Sequence, residues 1–173
     1  MRHGLIALAL VLPAAVLGGC HRGSPAAAPA PQAAALPLLP MARLYSDNGG
    51  GIQDSVRMVV RDQSSLEQVW KQATAGQSSP PPLPAVDFSR EMVLVVGAGR
   101  KTPEDQIHVD SVAVRKVAGA GGKTEEAMAA IVRTLEGCRR FRADAYPVEI
   151  VRVRRFTGPV VFEERQDRAT DCK

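Results

Sequence analysis

The sequence predicts an α+β fold in which a mainly antiparallel β-sheet is packed against one amphipathic helix. Residues 92–96 are uniformly apolar and closed by Gly97 and Gly99, which is typical of a strand buried on both faces. Residues 106–117 alternate between two faces along their length, as a strand does. The sequence also predicts one helix, because apolar residues recur at helical spacing at Leu66, Val69, Trp70 and Ala73.

The N-terminal residues form a targeting pattern that has to be set apart from the fold. Arg2 and His3 precede an apolar stretch over residues 5–17, which is too short to span a bilayer, since a transmembrane helix needs about 20 apolar residues. The stretch ends in Gly19-Cys20 and resembles the lipobox of bacterial lipoprotein signal peptides. That resemblance implies cleavage of residues 1–19 and acylation of Cys20, palmitate included. The alternative is an ordinary secretory signal peptide with a chance cysteine.

Residues 20–42 are rich in proline and alanine and cannot bury a core, so we expect a lipidated cysteine followed by a tether. In polyproline conformation, about 20 such residues would reach up to about 60 Å from the membrane. The absence of an acidic residue next to Cys20 favours, by analogy with Gram-negative sorting, an outer-membrane lipoprotein facing the periplasm. Exposure at the cell surface is the alternative. Residues 43–173 are expected to form the single folded domain.

The charge balance bears on the class of partner. Removing residues 1–19 takes away only Arg2, so the formal net charge falls from +4 to +3. A mildly basic periplasmic domain favours acidic protein surfaces or lipid headgroups and argues against nucleic acid as a partner.

Two cysteines remain once Cys20 is assigned to the lipid. In an oxidising compartment, Cys138 and Cys172 are expected to form one disulfide bond, and the alternatives are two free thiols or an intermolecular link. The bond would tie the C-terminal tail, residues 166–173, to the domain. Two cysteines without nearby histidine or further cysteine ligands do not predict a metal site.

The first part of the domain is predicted to contain two strands. Residues 41–46 suit a short edge strand, the glycine-rich residues 47–51 suit a turn, and residues 52–61 suit a second strand.

The helix follows these strands. Ser64 and Glu67 have capping-box spacing, so we expect a helix over residues 65–75, ended by the four prolines of residues 76–85. Trp70 is expected to anchor this helix in the core, and ligand stacking is the alternative.

The glycine-rich basic segment over residues 97–102 matches neither the dinucleotide nor the P-loop spacing, so it is interpreted as a hairpin connection. It leads to the alternating strand over residues 106–117. Regular alternation would place His108, Asp110 and Val112 on one face of that strand.

The last third of the chain is predicted to be β-structure. Residues 124–135 combine helix-favouring and strand-favouring sequence, and we predict a strand over residues 129–135. Two further strands are expected over residues 146–155 and 160–165.

Several ordered blocks resemble the C-terminal domain of the PrcB family of protease complex subunits. They are Leu-Glu-Gln-Val-Trp at residues 66–70, residues 84–96, residues 146–153 and residues 160–162. Residues 101–106 depart from the family, which has a Thr-Gly-Gly-Tyr-like turn there. The resemblance implies the same fold and an accessory, non-catalytic lipoprotein.

The domain offers little for catalysis. His108 and Asp110 would share a face of their strand, but Ser111 would point away from them, so the sequence predicts no catalytic triad. A metal site would need a second histidine, and no cofactor is expected. We therefore predict that the protein is not an enzyme.

Arginines near the C-terminus form the candidate surface for binding an acidic protein partner, and the alternative is a solvated face balanced by Glu163 and Glu164. These arginines are Arg139, Arg140, Arg142, Arg152, Arg154 and Arg155. The predicted function is that of a lipid-anchored envelope accessory protein, a subunit or stabiliser of a protease or envelope complex. The alternative function is a periplasmic protease inhibitor acting through the loops at residues 78–84 and 99–105.

Overall fold

The structure, a computed structural model, describes residues 37–119, 122–139, 141–170 and 172. The predicted signal peptide, Cys20 and most of the predicted tether lie outside the described residues, as does Arg140. Pairing starts before the predicted domain boundary at residue 43, because Leu38 pairs with Ala113 and the first strand begins at Met41. The segment from Leu38 onwards therefore belongs to the folded domain.

The described residues contain one helix and seven strands, in the order β1 (Met41–Asp47), β2 (Ser55–Val60), α1 (Gln63–Ala73), β3 (Glu91–Ala98), β4 (Gln106–Ala118), β5 (Thr124–Glu136), β6 (Val148–Arg154) and β7 (Val160–Arg168). The strands form two sheets. The four-stranded sheet has the order β1-β6-β3-β2 and is antiparallel throughout. The three-stranded sheet has the order β4-β5-β7, with β4 and β5 antiparallel and β5 and β7 parallel. The structure is thus mostly antiparallel β-sheet with one short helix, as predicted, divided between two sheets.

β3 is the interior strand on which two apolar clusters meet. Residues 92–97 are all buried, which confirms the predicted burial of this strand on both faces. Met92, Leu94 and Val96 belong to the cluster that includes the inner side chains of the three-stranded sheet. Val93 and Val95 belong to the cluster that includes buried residues of α1. The four-stranded sheet is therefore covered on both sides.

The helix begins one residue after Asp62, which replaces the predicted capping box at Ser64. The Asp62 carboxylate accepts a hydrogen bond of 2.8 Å from the backbone N–H of Ser65 and further bonds from the hydroxyls of Ser64 and Ser65. A carboxylate is as good an N-cap as a serine hydroxyl, and here it precedes the helix at the required spacing. The predicted burial of Trp70 is confirmed, with its ring 5.4 Å from that of Tyr45.

A β-bulge in β4 overturns the predicted alternation of its faces. The pairing register with β5 shifts between Val109 and Ser111, so that Asp110 is an extra, exposed residue. Val112 consequently joins Val109 in the buried cluster between the sheets. The prediction that Val112 shares the face of His108 is therefore wrong.

The predicted hairpin over residues 97–102 is also wrong. β3 is already bonded to β2 on one edge and to β6 on the other, so neither edge is free for β4. The segment instead carries the chain from one sheet to the other. Gly99 has a φ of +70° in this crossing, a conformation that favours glycine.

β5 covers the whole of Thr124–Glu136, which confirms the strand prediction and extends it over the helix-favouring residues. The strand is paired along one edge with β4 and along the other with β7. Backbone pairing on both edges outweighs an intrinsic preference of a fraction of a kcal/mol per residue.

Contacts at both sides of the molecule join the two sheets. On one side, Leu39 donates a backbone hydrogen bond of 2.7 Å to Val112 of β4, and the chain then continues into β1. On the other side, Arg57 of β2 makes two hydrogen bonds, of 2.7 and 2.8 Å, to the carboxylate of Glu164 of β7. The edges of the two sheets are therefore held together.

Candidate functional site

The structure separates the predicted arginine surface into two groups at opposite ends of the four-stranded sheet. The proximal surface consists of Met41, Arg90, Arg152 and Arg154, beside the segment through which residues 1–36 join the domain. The distal surface consists of Arg100, Lys101, Arg139, Phe141 and Arg142. Glu91 at the start of β3 pairs with Arg154, whereas Gly97 near its end pairs with Val148. The two ends are thus about 20 Å apart along the strand, at about 3.3 Å per residue.

Phe141 and Arg139 form the most distinctive part of the distal surface. The Phe141 side chain is exposed (42%), and the Arg139 guanidinium lies 5.3 Å from its ring centroid, within cation–π range. Arg139 is itself fixed by Glu104, which accepts hydrogen bonds of 2.8 Å from its backbone N–H and 2.7 Å from its Nε. These bonds, the backbone one foremost, hold the pKa of Glu104 below its ordinary value. Glu104 is therefore ionised at neutral pH and orients the arginine beneath the ring.

A cavity of about 460 Å³ adjoins this pair. Arg100 lies at its edge, 4.0 Å from Asp144, and Arg142 makes no ion pair with the residues that the structure describes. Backbone hydrogen bonds of 2.8 and 2.9 Å between Lys101 and Ala145 fix one wall. The residues that line the cavity are Arg100, Lys101, Thr102, Asp105, Glu136, Phe141, Arg142, Ala143 and Asp144.

The two cysteines of the domain lie at the base of the distal surface. The sulfur atoms of Cys138 and Cys172 are 2.00 Å apart, at bonding distance, across a sequence separation of 34 residues. Cys138 immediately precedes Arg139, and Asp105 accepts a backbone hydrogen bond of 2.9 Å from the neighbouring Gly137. The segment that carries Phe141 therefore leaves the body of the domain from a fixed position.

The proximal surface lines a second cavity, of about 330 Å³. Arg152 lies 3.3 Å from Glu91 and Arg90 lies 3.8 Å from Asp87, while Arg154 has no ion pair with any described residue. The hydroxyl and backbone N–H of Ser89, and then the charge of Arg90, hold the pKa of Asp87 below its ordinary value. Both acidic partners are thus engaged, and positive charge remains at this end.

His108 does not pair with Asp110, although regular alternation would have placed both on one face of the strand. The Nδ1 atom of His108 lies 3.3 Å from Glu149 and its Nε2 atom 2.9 Å from Gln106, whereas Asp110 accepts a 2.7 Å hydrogen bond from Arg133. The bulge in β4 is the reason, because it turns Asp110 out of register with His108.

Glu149 is a site residue that the sequence analysis missed. Its carboxylate is fully buried (0% exposed) and accepts hydrogen bonds of 2.5 Å from Arg43 and 2.6 Å from the backbone N–H of Val109. A signal was present, since Glu149 interrupts an apolar run on a predicted strand. Phe141 was overlooked in the same way, as an aromatic residue within a run of arginines.

Both loops suggested for protease inhibition are anchored to the domain. Trp70 donates a hydrogen bond of 3.0 Å from its indole Nε1 to the carbonyl of Pro81 in the loop at residues 78–84. Asn48 donates a bond of 3.2 Å to the carbonyl of Pro103 in the loop at residues 99–105.

Comparisons with protein-family profiles, curated proteins and solved structures return no match to this chain. Within the described ranges, no helix has the length and apolar character needed to cross a membrane. The same part of the chain contains no group of three or more His, Cys, Asp or Glu side chains placed to hold a metal ion.

Proposed function

We propose that this protein is a lipid-anchored accessory domain of the bacterial envelope that binds an acidic segment of another protein through its distal surface. The observation that carries the proposal is the exposed Phe141 ring stacked with Arg139 beside the cavity at Arg142. Aromatic residues and arginine are the residue types most enriched where protein interfaces gain their binding energy. An acidic partner would complement the charge of Arg142, which makes no ion pair with any residue that the structure describes.

The rigidity of the distal surface supports this role. Glu104 holds Arg139, and Cys138 with Cys172 ties the segment to the C-terminal tail. Side chains that are ordered before binding lose less conformational entropy when a partner arrives. In this proposal α1 is a scaffold element, an amphipathic helix packed through Trp70 on the four-stranded sheet.

The anchor belongs to the same proposal. Acylation of Cys20 and the proline-rich tether would hold the domain at the periplasmic face of the outer membrane. The resemblance to the PrcB family supports a protease or envelope complex as the partner, with no catalytic role for this chain. The engagement of His108 and Glu149 in contacts between strands is consistent with that assignment.

Site-specific photo-crosslinking in intact membranes tests the binding surface. A photoreactive residue replacing Phe141 should crosslink to one protein in stoichiometric yield, and the same residue replacing the exposed Met58 of β2 should not. In a separate variant that carries both Phe141→Ala and Arg142→Gln, recovery of that partner should fall at least tenfold. Equal crosslinking from both positions, or recovery unchanged in the double variant, would contradict the proposal. Palmitate labelling that disappears in Cys20→Ser tests the anchor separately.

The anchored proline loop supports a second candidate function, protease inhibition. Four prolines and the Trp70–Pro81 hydrogen bond stiffen residues 78–84, which lowers the entropy lost on insertion into a cleft. The test is inhibition of an envelope protease by the parent chain and by two variants. Inhibition that is lost when this loop is replaced, but kept in Phe141→Ala, would favour the inhibitor over the accessory subunit.

A further inference from the structure

The proximal surface, together with Leu38 three residues before Met41, combines exposed apolar side chains with arginines at the point where the N-terminal residues join the domain. Leu38 is 68% exposed and Met41 is 39% exposed. Residues 1–36 precede them directly, so the proposed tether leaves the domain from this surface. An anchor at Cys20 would therefore be joined to the domain at this end.

The charge at this end is positive and accessible. The Arg90 side chain is 86% exposed, and its partner Asp87 is itself bound by Ser89. Arg154 is exposed and, among the described residues, has no ion pair. Its neighbour Arg155 uses its guanidinium to donate to the backbone carbonyl of Phe88, which is an uncharged acceptor. Glu91 faces Arg152, and Glu126 lines one cavity together with Arg154, Arg155 and Phe156.

We propose that the proximal surface binds the anionic headgroups of the membrane that carries the protein's own lipid anchor, with Leu38 and Met41 inserting between them. Apolar side chains flanked by arginine are the composition that binds the headgroup region of a bilayer. Each arginine near an anionic surface contributes about 1 kcal/mol to binding, which corresponds to an increase in affinity of about fivefold. The inference rests on the lipid anchor proposed above and adds an orientation to it: the proximal end faces the membrane and the distal end faces the periplasm.

Vesicle co-sedimentation of a mature chain without lipid tests this surface alone. The chain from residue 20, with Cys20→Ser and a cleavable secretory signal, carries no acyl group, so any vesicle binding comes from the folded chain. We expect binding to vesicles of phosphatidylethanolamine and phosphatidylglycerol, loss of binding on pure phosphatidylcholine, and weakening by salt. Arg90→Gln with Arg154→Gln should weaken binding about 25-fold, at about fivefold per arginine.

The matched control removes the same charge from the other end. Arg100→Gln with Arg142→Gln also takes away two arginines but should leave vesicle affinity within about twofold, because those side chains face away from the bilayer. Equal losses in the two variants would overturn the inference and indicate attraction by net charge alone. Absence of binding by the parent chain would overturn it as well. Palmitate labelling of the unaltered protein reports on the anchor independently, so a failed anchor and a failed surface are distinguished.

Discussion

Glu149 shows how one buried charge can define the relation between two sheets. It lies on β6 of the four-stranded sheet, and its carboxylate is bonded to Arg43 of the neighbouring β1 and to the backbone of Val109 in the other sheet. A buried carboxylate is costly unless its lone pairs are satisfied, and these contacts satisfy them. Sheets held together only by apolar contacts would tolerate a shift of one strand against another, whereas the hydrogen bonds of Glu149 do not.

Removing that carboxylate should destabilise the domain. Glu149→Ala leaves the buried N–H of Val109 without its acceptor and removes the anionic partner of Arg43. We expect a loss of about 3 kcal/mol in the free energy of unfolding, measured by urea denaturation. Glu149→Gln keeps an acceptor oxygen of nearly the same shape and should cost clearly less. Equal losses in the two variants would contradict a role based on hydrogen bonding.

Residues differ in how far the sequence discloses their surroundings. The burial of Trp70 was predictable, because a helical repeat of apolar residues depends only on near neighbours. The role of Glu149 was not, because its partners Arg43 and Val109 lie 106 and 40 residues away along the chain. The arginine surface was only partly predictable: the arginines stand out in composition, but Arg152 and Arg154 lie at the far end of β6 from the segment that carries Arg139 and Arg142.

At the scale of elements, α1 depends on its N-cap. The hydrogen bonds that Asp62 accepts, first from the backbone N–H of Ser65 and then from the hydroxyls of Ser64 and Ser65, lower its pKa below the ordinary value of 3.8. A group whose pKa is lower in the folded state stabilises the fold fully above its unfolded pKa. That stabilisation is lost as the pH falls from 3.8 through the lower folded-state pKa.

The cap therefore predicts a specific pH dependence. Asp62→Asn should keep near-parental stability at pH 7, since asparagine caps a helix about as well as aspartate. Asp62→Ala should be less stable at every pH. Thermal unfolding followed by circular dichroism between pH 7 and pH 2 should show that the acid-induced loss is smaller in Asp62→Asn than in the parent chain. If the thermal midpoint fell with pH at the same slope in Asp62→Asn and in the parent chain, the assignment of this titration to Asp62 would be contradicted.

Trp70 is the residue through which α1 is anchored. Its ring contacts Tyr45 and its indole N–H bonds to Pro81, so truncation removes apolar packing and releases the proline loop. We expect Trp70→Ala to cost about 4 kcal/mol in the free energy of unfolding, within the range for buried aromatic residues. Lys71→Ala, at the neighbouring exposed position, should change stability by less than about 0.5 kcal/mol. The measurement is chemical denaturation of both variants.

The elements that the sequence analysis missed share one physical cause. The bulge in β4 and the parallel pairing of β7 with β5 depend on which strands are adjacent. The residues of one strand do not show which strand will lie beside it. The hairpin error has the same origin, because nothing in residues 97–102 shows that both edges of β3 are occupied. Strand existence, by contrast, follows from local apolar content and was predicted at all seven places.

At the scale of the whole molecule, the Cys138–Cys172 pair joins the distal surface to the end of the chain. Closing a segment with a sequence separation of 34 residues stabilises the folded state by about 4 kcal/mol on the chain-entropy relation. Replacing both cysteines by alanine should lower the thermal midpoint, and adding a reductant should then have no further effect. A parent protein indifferent to reductant under denaturing conditions would contradict an internal bond.

The antiparallel pairing of β1 with β6 has a mechanical consequence. The chain that leads to Cys20 leaves from the Met41 end of β1, and the distal surface lies at the opposite end, beyond Asp47. Tension between the membrane and a bound partner would therefore pull β1 along its own axis. Hydrogen bonds between antiparallel strands run across that axis, so the force would shear all of them together instead of opening them one by one. In the proposed arrangement, β1 would thus resist being stretched between the anchor and the bound partner.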